Sequence, residues 1–362
     1  MKTELLELIC CPACYQTLTV ESYQVQDTEI WEGLLTCSHC HQQYPIHKGM
    51  PYLYVDDDAW QPKAREGEGW VTIHKNRGNY EPSEKEVDMK IPYFPQPPWI
   101  TVARAFDIAL EKLNLTGDEV ILDVGAGRGW ASKHFAMRNC RAVALDVRTD
   151  DNVGLGRAKA LMDNAGVYFD RIIGDGENLP FFNESFDIVF CAAALHHASD
   201  LPLFIKNISK VLKPGGRLCA VNEPCVNVMT NAEKLLARNA AEELAVGINE
   251  TRPNLLEYEA ALQGAGLQIV STFAPTGYRM DDDGLRRWAT HIGAVRPSLR
   301  LELSRHYIIS WLYYLGRRLQ GVAKGALSKI NAYSADTERR QLEASVLLWV
   351  GGEIFILAHK PH

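Results

Sequence analysis

Val120-Ile121-Leu122-Asp123-Val124 runs directly into Gly125-Ala126-Gly127-Arg128-Gly129, and no other junction constrains the fold of this 362-residue chain as strongly. A short apolar run bounded by glycines reads as a buried strand entering a tight turn, the first strand of a doubly wound sheet. Glycines in that turn remove Cβ atoms, so ligand atoms can approach the backbone closely. The spacing is G-x-G-x-G rather than the G-x-G-x-x-G of dinucleotide sites, which points away from a pyrophosphate cofactor.

The segments downstream repeat the theme. Arg141–Asp146, Phe169–Asp175, Phe186–Cys191 and Gly216–Val221 read as four further strands, with helical-length segments between most of them. Such alternation implies a mostly parallel sheet with ligands at the carboxyl ends of its strands. Asp123, Asp146 and Asp175 all fall at or near those ends. A carboxylate there suits the hydroxyls of a ribose.

Six stretches then carry a family resemblance: Ile121–Gly129, Leu145-Asp146, Gly174–Phe181, Ser185–Asp187, Ala194-Leu-His-His197 and Leu212-Lys-Pro-Gly-Gly216. In this order they resemble the class I S-adenosylmethionine-dependent methyltransferases, nearest the small-molecule subgroup with the Leu-His-His stretch. The resemblance covers about the middle half of the chain and implies an α/β, Rossmann-like doubly wound sheet of six parallel strands plus one antiparallel. It implies a cofactor site in which Gly125 and Gly127 meet the amino-acid end and Asp146 takes both ribose hydroxyls. Asp175 and the Gly176 backbone would take the adenine, and Cys191 and Ala192 would lie near the methionine. Asp123 would orient the glycine turn. Trp130 either covers part of the cofactor or packs helix on sheet. His196 and His197 are the candidate catalytic groups, because imidazole accepts a proton near neutral pH; the alternative is that they only shape the pocket.

Cys11-Pro-Ala-Cys14 and Cys37-Ser-His-Cys40 form two C-x-x-C pairs. Two knuckles presenting four thiolates suit a structural Zn2+. The region around them, Leu5–Cys14 with Thr36–Pro51, is similar to the short zinc-ribbon proteins that bind and activate certain methyltransferases, here joined in cis. Tyr15 departs from that pattern, standing where many ribbons have glycine. Through Asp58 the ribbon has two cations, Lys2 and Lys48, against nine anions, a net of −7. Nucleic-acid binding depends on cations that neutralise phosphates, so this surface argues against an RNA partner.

The expected organisation is a ribbon at residues 1–58, an aromatic and proline-rich connection and lid at 59–100, and a methyltransferase domain at 101–362. Tyr80, Tyr93, Phe94 and Trp99 are candidate lid residues, and a helix is expected from Ile100 through Leu113. A sixth strand falls at Gly266–Val270 and the antiparallel one at Glu353–His359, with a helical insertion at about 281–345 between them. A second insertion spans about Asn222 to Tyr258, where Glu223, Asn249, Glu250 and Tyr258 are polar candidates on the acceptor side. Ile308 to Ile330 is amphipathic at helical spacing. From Leu285 through Glu343 eleven cations face four anions, a net of +7. That segment is either a cap with a solvated face or a surface for an anionic substrate, a lipid headgroup or an acidic partner such as the ribbon itself. No apolar run reaches membrane-spanning length, so only peripheral membrane contact stays open. The acidic opening Met1–Glu7 and the thiolate zinc site favour a cytoplasmic protein.

These features converge on methyl transfer to a small-molecule or glycan-type acceptor. RNA or protein methylation through the basic insertion is one alternative, and a non-catalytic cofactor-binding scaffold is another. Oligomeric state and acceptor identity are not encoded in any motif.

Overall fold

The computed structural model describes residues 1–80, 85–294 and 335–362. The amphipathic Ile308–Ile330 stretch and most of the basic segment lie outside the described residues.

The amino-terminal part is a four-stranded antiparallel sheet, β1 Leu18–Gln26, β2 Glu29–Cys37, β3 Gln43–His47 and β4 Met50–Pro51, in sequential order. Its two knuckles are alike. In each, the residue after the second cysteine turns its amide back to the carbonyl of the first: Tyr15 to Cys11 at 2.7 Å and His41 to Cys37 at 3.2 Å. Both residues have positive φ, 58° and 59°. Tyr15 therefore occupies the left-handed conformation that glycine usually supplies. Its phenol reaches Asn178 Oδ1 of the following domain at 2.6 Å, an interaction that glycine has no side chain to make.

The larger sheet has seven strands: β5 Val120–Val124, β6 Arg141–Asp146, β7 Asp170–Ile173, β8 Phe186–Ala192, β9 Leu212–Val226, β10 Gln268–Phe273 and β11 Gly351–His359. Their spatial order is β10-β11-β9-β8-β5-β6-β7, and β11 runs antiparallel to both its neighbours. The sheet thus has the six parallel strands and one antiparallel strand that the resemblance implies. The central strands are buried on both faces, as covered parallel sheets are, and so read as unbroken apolar runs. β9 differs from expectation. It begins at Leu212 and extends to Val226, because its far end gains a partner in β11 as far as Gly351↔Val226.

Helices cover the faces. α1 Trp60–Asn76 and α2 Lys85–Lys90 precede α3 Trp99–Leu113, which closes on Asn114 at φ 44°. After β5 come α4 Trp130–Ala136, α5 Ala158–Ala165 and α6 Leu201–Val211, the last capped by the Asp200 carboxylate on the Leu203 amide. Among the described residues, α7 Ala232–Asn239, α8 Ala241–Ala245 and α9 Leu255–Gly264 form the insertion after β9. α10 Asp282–His291 and α11 Ala335–Trp349 flank the segment before β11. The seventeen-residue α1 was not legible in the connection; its polar, glycine-containing sequence lacks a clean apolar stripe.

The ribbon is joined to the larger domain by backbone as well as side chains. Tyr52 pairs in parallel with Ile173 of β7, and the Leu53 amide donates to the Ile173 carbonyl at 2.8 Å. On the other side of the ribbon, Ile9 bridges Phe181, with Cys10 donating to Pro180 and Phe182 to Leu8, each at 2.9 Å. Leu8, Ile9, Leu35 and Ile46 share a buried cluster with Leu145, Ile172, Leu179 and Phe181. Arg171, 1% exposed, donates to Glu29 at 3.2 Å and to the Lys48 carbonyl at 2.9 Å. Among the described residues the ribbon thus meets the β7 edge and, through Glu4 and Glu7, Arg141 at the start of β6. The reading in which the ribbon answers the basic segment concerns residues that lie mostly outside the described ones.

Candidate functional site

The glycine turn is held open by its own backbone. Gly125, Gly127 and Gly129 have φ of 71°, 58° and 76°. The amides of Gly125 and Ala126 both donate to the Leu145 carbonyl, at 2.9 and 3.1 Å, which ties the turn to the end of β6. Asp146 completes the tie: its Oδ2 accepts from the Gly127 amide at 2.7 Å. Its Oδ1 accepts from the Arg148 amide at 2.9 Å and from Arg148 Nε at 3.2 Å. The Arg148 guanidinium also lies over the Trp70 ring at 5.4 Å.

A cavity of about 640 Å³ opens above this turn. Of the sequence-predicted residues, Gly125, Gly127, Asp146, Asp175, Gly176, Ala192, His196 and His197 line it. Asp123 and Cys191 do not line it and are buried beneath. Asp123 Oδ2 accepts from Ser132 N at 3.1 Å and Ser132 Oγ at 2.7 Å, fixing the first turn of α4. Burial pushes its carboxyl up to about 7. Cys191 sits inside the sheet, and burial drives its thiol far above the ordinary range. Both stand among the candidate cofactor-site residues, Cys191 beside the methionine and Asp123 as the support of the turn; the geometry gives both to the framework, because their strand positions point into the packed layer.

Asp175 follows β7 and accepts from the Glu177 amide at 2.9 Å; burial raises its carboxyl, and nearby Lys63 opposes that. Glu177 is the pivot of this wall. It accepts from Lys63 of α1 at 2.7 Å and from the Ser199 and Asp200 amides at 2.6 and 3.3 Å. Trp130 lines the cavity and also meets Phe106 edge-on at 5.0 Å, the helix-on-sheet packing. Of the four candidate lid aromatics, Trp99 lines the cavity. Tyr80 and Tyr93 instead hydrogen-bond to Asp150 and Asp107, and Phe94 packs on the core.

The two histidines follow β8 on a short 3-10 turn, Leu195–His197. Beneath them lies Glu223, fully buried on β9. Its carboxylate accepts from the amides of Ala194, Leu195 and His196 at 2.8, 3.0 and 3.2 Å, and meets His196 Nδ1 at 2.9 Å. A carboxylate gripped by three amides is an acceptor, so Nδ1 carries a proton, and in the neutral ring the lone pair is on Nε2. His197 Nδ1 lies 2.6 Å from the Asn249 carbonyl, which only accepts, and 3.2 Å from Glu66 Oε1. The same tautomer follows. Burial first, then His196, drives the His197 ring well below its usual range, so it is neutral at physiological pH. Glu66 is itself pushed up to about 8 by burial.

Several wall residues had no sequence signal. Lys63, Glu66 and Trp70 come from α1. Asn222, at φ 55°, lines the cavity with Oδ1 buried and unpartnered. Arg148 did leave a trace, a cation two residues past the strand-end acid.

In the ribbon, Cys14 Sγ lies 3.5 Å from both Cys37 and Cys40, and Cys11 Sγ is 3.6 Å from Cys40. A ZnS4 tetrahedron with bonds of 2.3 Å has edges of roughly 3.8 Å, whereas a disulfide would bring sulfurs to about 2 Å. The four cysteines fit zinc. Amides of His39 and Cys40 point at Cys37 Sγ at 3.4 and 3.5 Å, as they would to support a thiolate.

Comparison with known proteins agrees with both halves. Residues 122–220 match the methyltransferase domain family, and residues 2–49 match the Trm112p-like protein family. Phthiotriol/phenolphthiotriol dimycocerosates methyltransferase of Mycobacterium leprae is 35% identical over 30% of this chain and 38% of its own length. Norajmaline N-methyltransferase of Rauvolfia serpentina is 30% identical over 37% of this chain and 47% of its own. The chain spans between 18% and 54% of the length of the first curated relatives it matches. The structure of phosphoethanolamine N-methyltransferase 2 of Haemonchus contortus in complex with S-adenosyl-L-methionine aligns with a TM-score of 0.50. The two share 15% identity over 89% of this chain and 63% of that one, which shows a shared fold. The chain therefore carries a class I S-adenosylmethionine-dependent methyltransferase domain. Ahead of that domain stands a Trm112p-like zinc ribbon.

Proposed function

We propose that this protein transfers a methyl group from S-adenosylmethionine to a small-molecule acceptor held in the cavity above the glycine turn. The observation that carries this reading is the convergence of that turn, Asp146 and Asp175 on one cavity that also contains the two histidines. The residues present fit the cofactor: Gly125 and Gly127 border the cavity at positive φ, two carboxylates stand at or just past strand ends, and Asn222 Oδ1 lacks a partner.

S-adenosylmethionine supplies an electrophilic methyl on a positively charged sulfur, so little covalent chemistry falls to the protein. The chain's task is positioning, which contributes on the order of 7–11 kcal/mol when reactants are held in line. Asp146 takes the ribose hydroxyls in exchange for its Arg148 side-chain contacts: of about four acceptor positions the Gly127 and Arg148 amides use two, and the Arg148 guanidinium holds the rest until the cofactor replaces it. Asp175 and the Gly176 backbone take the adenine. Gly125, Gly127 and Ala192 border the amino-acid end. Trp70 and Trp99 exclude water from the acceptor side. His196 and His197 line the acceptor side of the cavity and act on the atom that receives the methyl, directly or through an ion they hold. The acidic ribbon surface gives no support to a nucleic-acid acceptor.

Titration calorimetry with S-adenosylhomocysteine is expected to show one site per chain, weakened roughly tenfold or more by Asp146→Asn through loss of charge-assisted hydrogen bonds. Label from methyl-labelled cofactor is then expected in the small-molecule fraction of a cell extract. Absence of binding heat from folded protein overturns the reading, and label confined to RNA or protein overturns its acceptor class.

A further inference from the structure

We propose that His196, His197 and Glu250 form a site for one divalent transition-metal ion on the acceptor side of the cavity. One ligating atom from each of these residues lies within 4.8 Å of the others, and all three line the cavity. His196 Nε2 is 3.9 Å from Glu250 Oε2.

The tautomers make the case. Both rings spend their Nδ1 protons on fixed acceptors, Glu223 and the Asn249 carbonyl. Histidines that bind metals are oriented in this way, the far nitrogen tied to a carboxylate or a carbonyl. Each Nε2 then offers a lone pair, and neither has a hydrogen-bond donor among the described residues. A carboxylate stands beside them. Converging acceptors with no shared donor are satisfied best by a cation between them. Glu250 is itself oriented by Arg252, which donates to Oε2, the oxygen nearest His196; the second lone pair of Oε2 and the whole of Oε1 stay available to an ion.

Two imidazoles and one carboxylate are the donor set of open metal sites that leave positions for water or substrate. Bonds of about 2.1 Å would place the ligand atoms roughly 3.4 Å apart, so the site needs to contract by about 0.5 Å between His196 and Glu250 and by at most about 1.4 Å between the other pairs. Glu250 sits in the loop before α9, where side-chain rotation supplies that. An acceptor oxygen would complete the coordination, which narrows the acceptor class to hydroxyl or carboxyl compounds. That last step rests on the methyltransferase reading, whereas the ion site does not.

The test uses the full chain with its ribbon loaded with zinc. Mn2+ serves as the probe, because a thiolate site discriminates against it and nitrogen–oxygen sites accept it. Loss of the free Mn2+ resonance signal on titration is expected at a stoichiometry of one per chain. His197→Gln and Glu250→Gln are each expected to weaken binding roughly tenfold or more, with Glu223→Gln acting through His196 to a similar extent. Ribbon zinc and S-adenosylhomocysteine affinity serve as the controls for folding and should not move in the first two variants. Failure of the wild type to take up Mn2+, Co2+ or Zn2+ beyond the ribbon ion at millimolar concentrations overturns the proposal. So does uptake that is equally tight in the variants. Loss of homocysteine-nucleoside binding in the wild type would instead sink the methyltransferase reading and leave the ion site standing.

Discussion

Gly125 offers a direct test of how the cofactor turn is built. A Cβ placed there would lie 2.6 Å from Ala194 Cβ, with the next atom, Ala194 Cα, at 3.7 Å. Carbon atoms in contact prefer about 3.5–4.0 Å, so one methyl group is responsible for the whole clash. Gly125→Ala carries two separable costs. An L-residue at φ 71° costs about 1–2 kcal/mol. Overpacking against Ala194 costs a further ~1–3 kcal/mol, because the Ala194 amide is pinned by Glu223 at 2.8 Å and yields poorly. Ala194→Gly alone costs about 0.5–1 kcal/mol of backbone entropy. In the double variant the clash vanishes and the φ strain stays, so a coupling energy of roughly 1–3 kcal/mol is expected. Urea unfolding of the ligand-free wild type, both single variants and the double variant measures it. Strict additivity, or a Gly125→Ala protein as stable as wild type, would refute this account of the turn.

Further outcomes follow from other sites. Asp123 rises from an ordinary 3.8 to about 7 on folding, so the folded state holds its proton longer than the unfolded chain does. Stability from this group is greatest below pH 4 and falls as pH climbs to 7, by up to about 4 kcal/mol. Asp123→Asn should remove that slope, and unfolding curves that stay parallel to wild type across this range would contradict it. Chelation of zinc, or Cys37→Ser, removes a structural ion whose binding contributes about 10–16 kcal/mol in small modules, more than the net stability of most domains. The ribbon should unfold, uncover Ile172 and Phe181 and increase binding of an apolar dye; an unchanged melting temperature after verified zinc loss would count against the shared core. Lys63→Met leaves Glu177 buried without its cation, which should cost about 3–5 kcal/mol and loosen the Ser199–Asp200 turn; calorimetric melting with wild-type enthalpy and midpoint would contradict it.

What could be read from the sequence was whatever depends on local pattern. Strands β5, β6 and β8 are apolar runs buried on both faces, and the glycine spacing requires a turn of positive φ. The strand-end acids could be placed, but their roles diverged with one residue of register. Asp146, at the last position of β6, reaches the cavity, while Asp123, one position before the end of β5, turns inward to Ser132. That difference is a matter of side-chain alternation along a strand. Cys191 fell to the same rule, and its neighbour Ala192 lines the cavity instead. α1 stayed hidden because its contacts are polar and long-range: Lys63 answers Glu177, and Glu66 answers His197, more than a hundred residues away. No local periodicity encodes such partners.

Those contacts also give the ribbon a bearing on the cavity. β4 ends at Pro51, Tyr52 pairs with Ile173, and Tyr54 stacks on Trp60 at 3.8 Å, the first residue of α1. The chain therefore passes from the edge of the large sheet straight into the helix that supplies Lys63, Glu66 and Trp70 to the cavity wall. A shift of the ribbon against β7 would be carried through that stacked pair to the wall. The zinc site lies at one end of this path and the histidines at the other. Replacing Tyr54 by Ala breaks the stack without touching zinc, cofactor turn or histidines. Loss of an aromatic pair of this kind costs about 0.5–1.5 kcal/mol beyond its buried area, small enough to leave the protein folded. If the path has the importance argued here, acceptor affinity falls while zinc content and cofactor affinity hold; equal acceptor affinity in the two proteins would show that α1 is placed by its contacts with Glu177 alone.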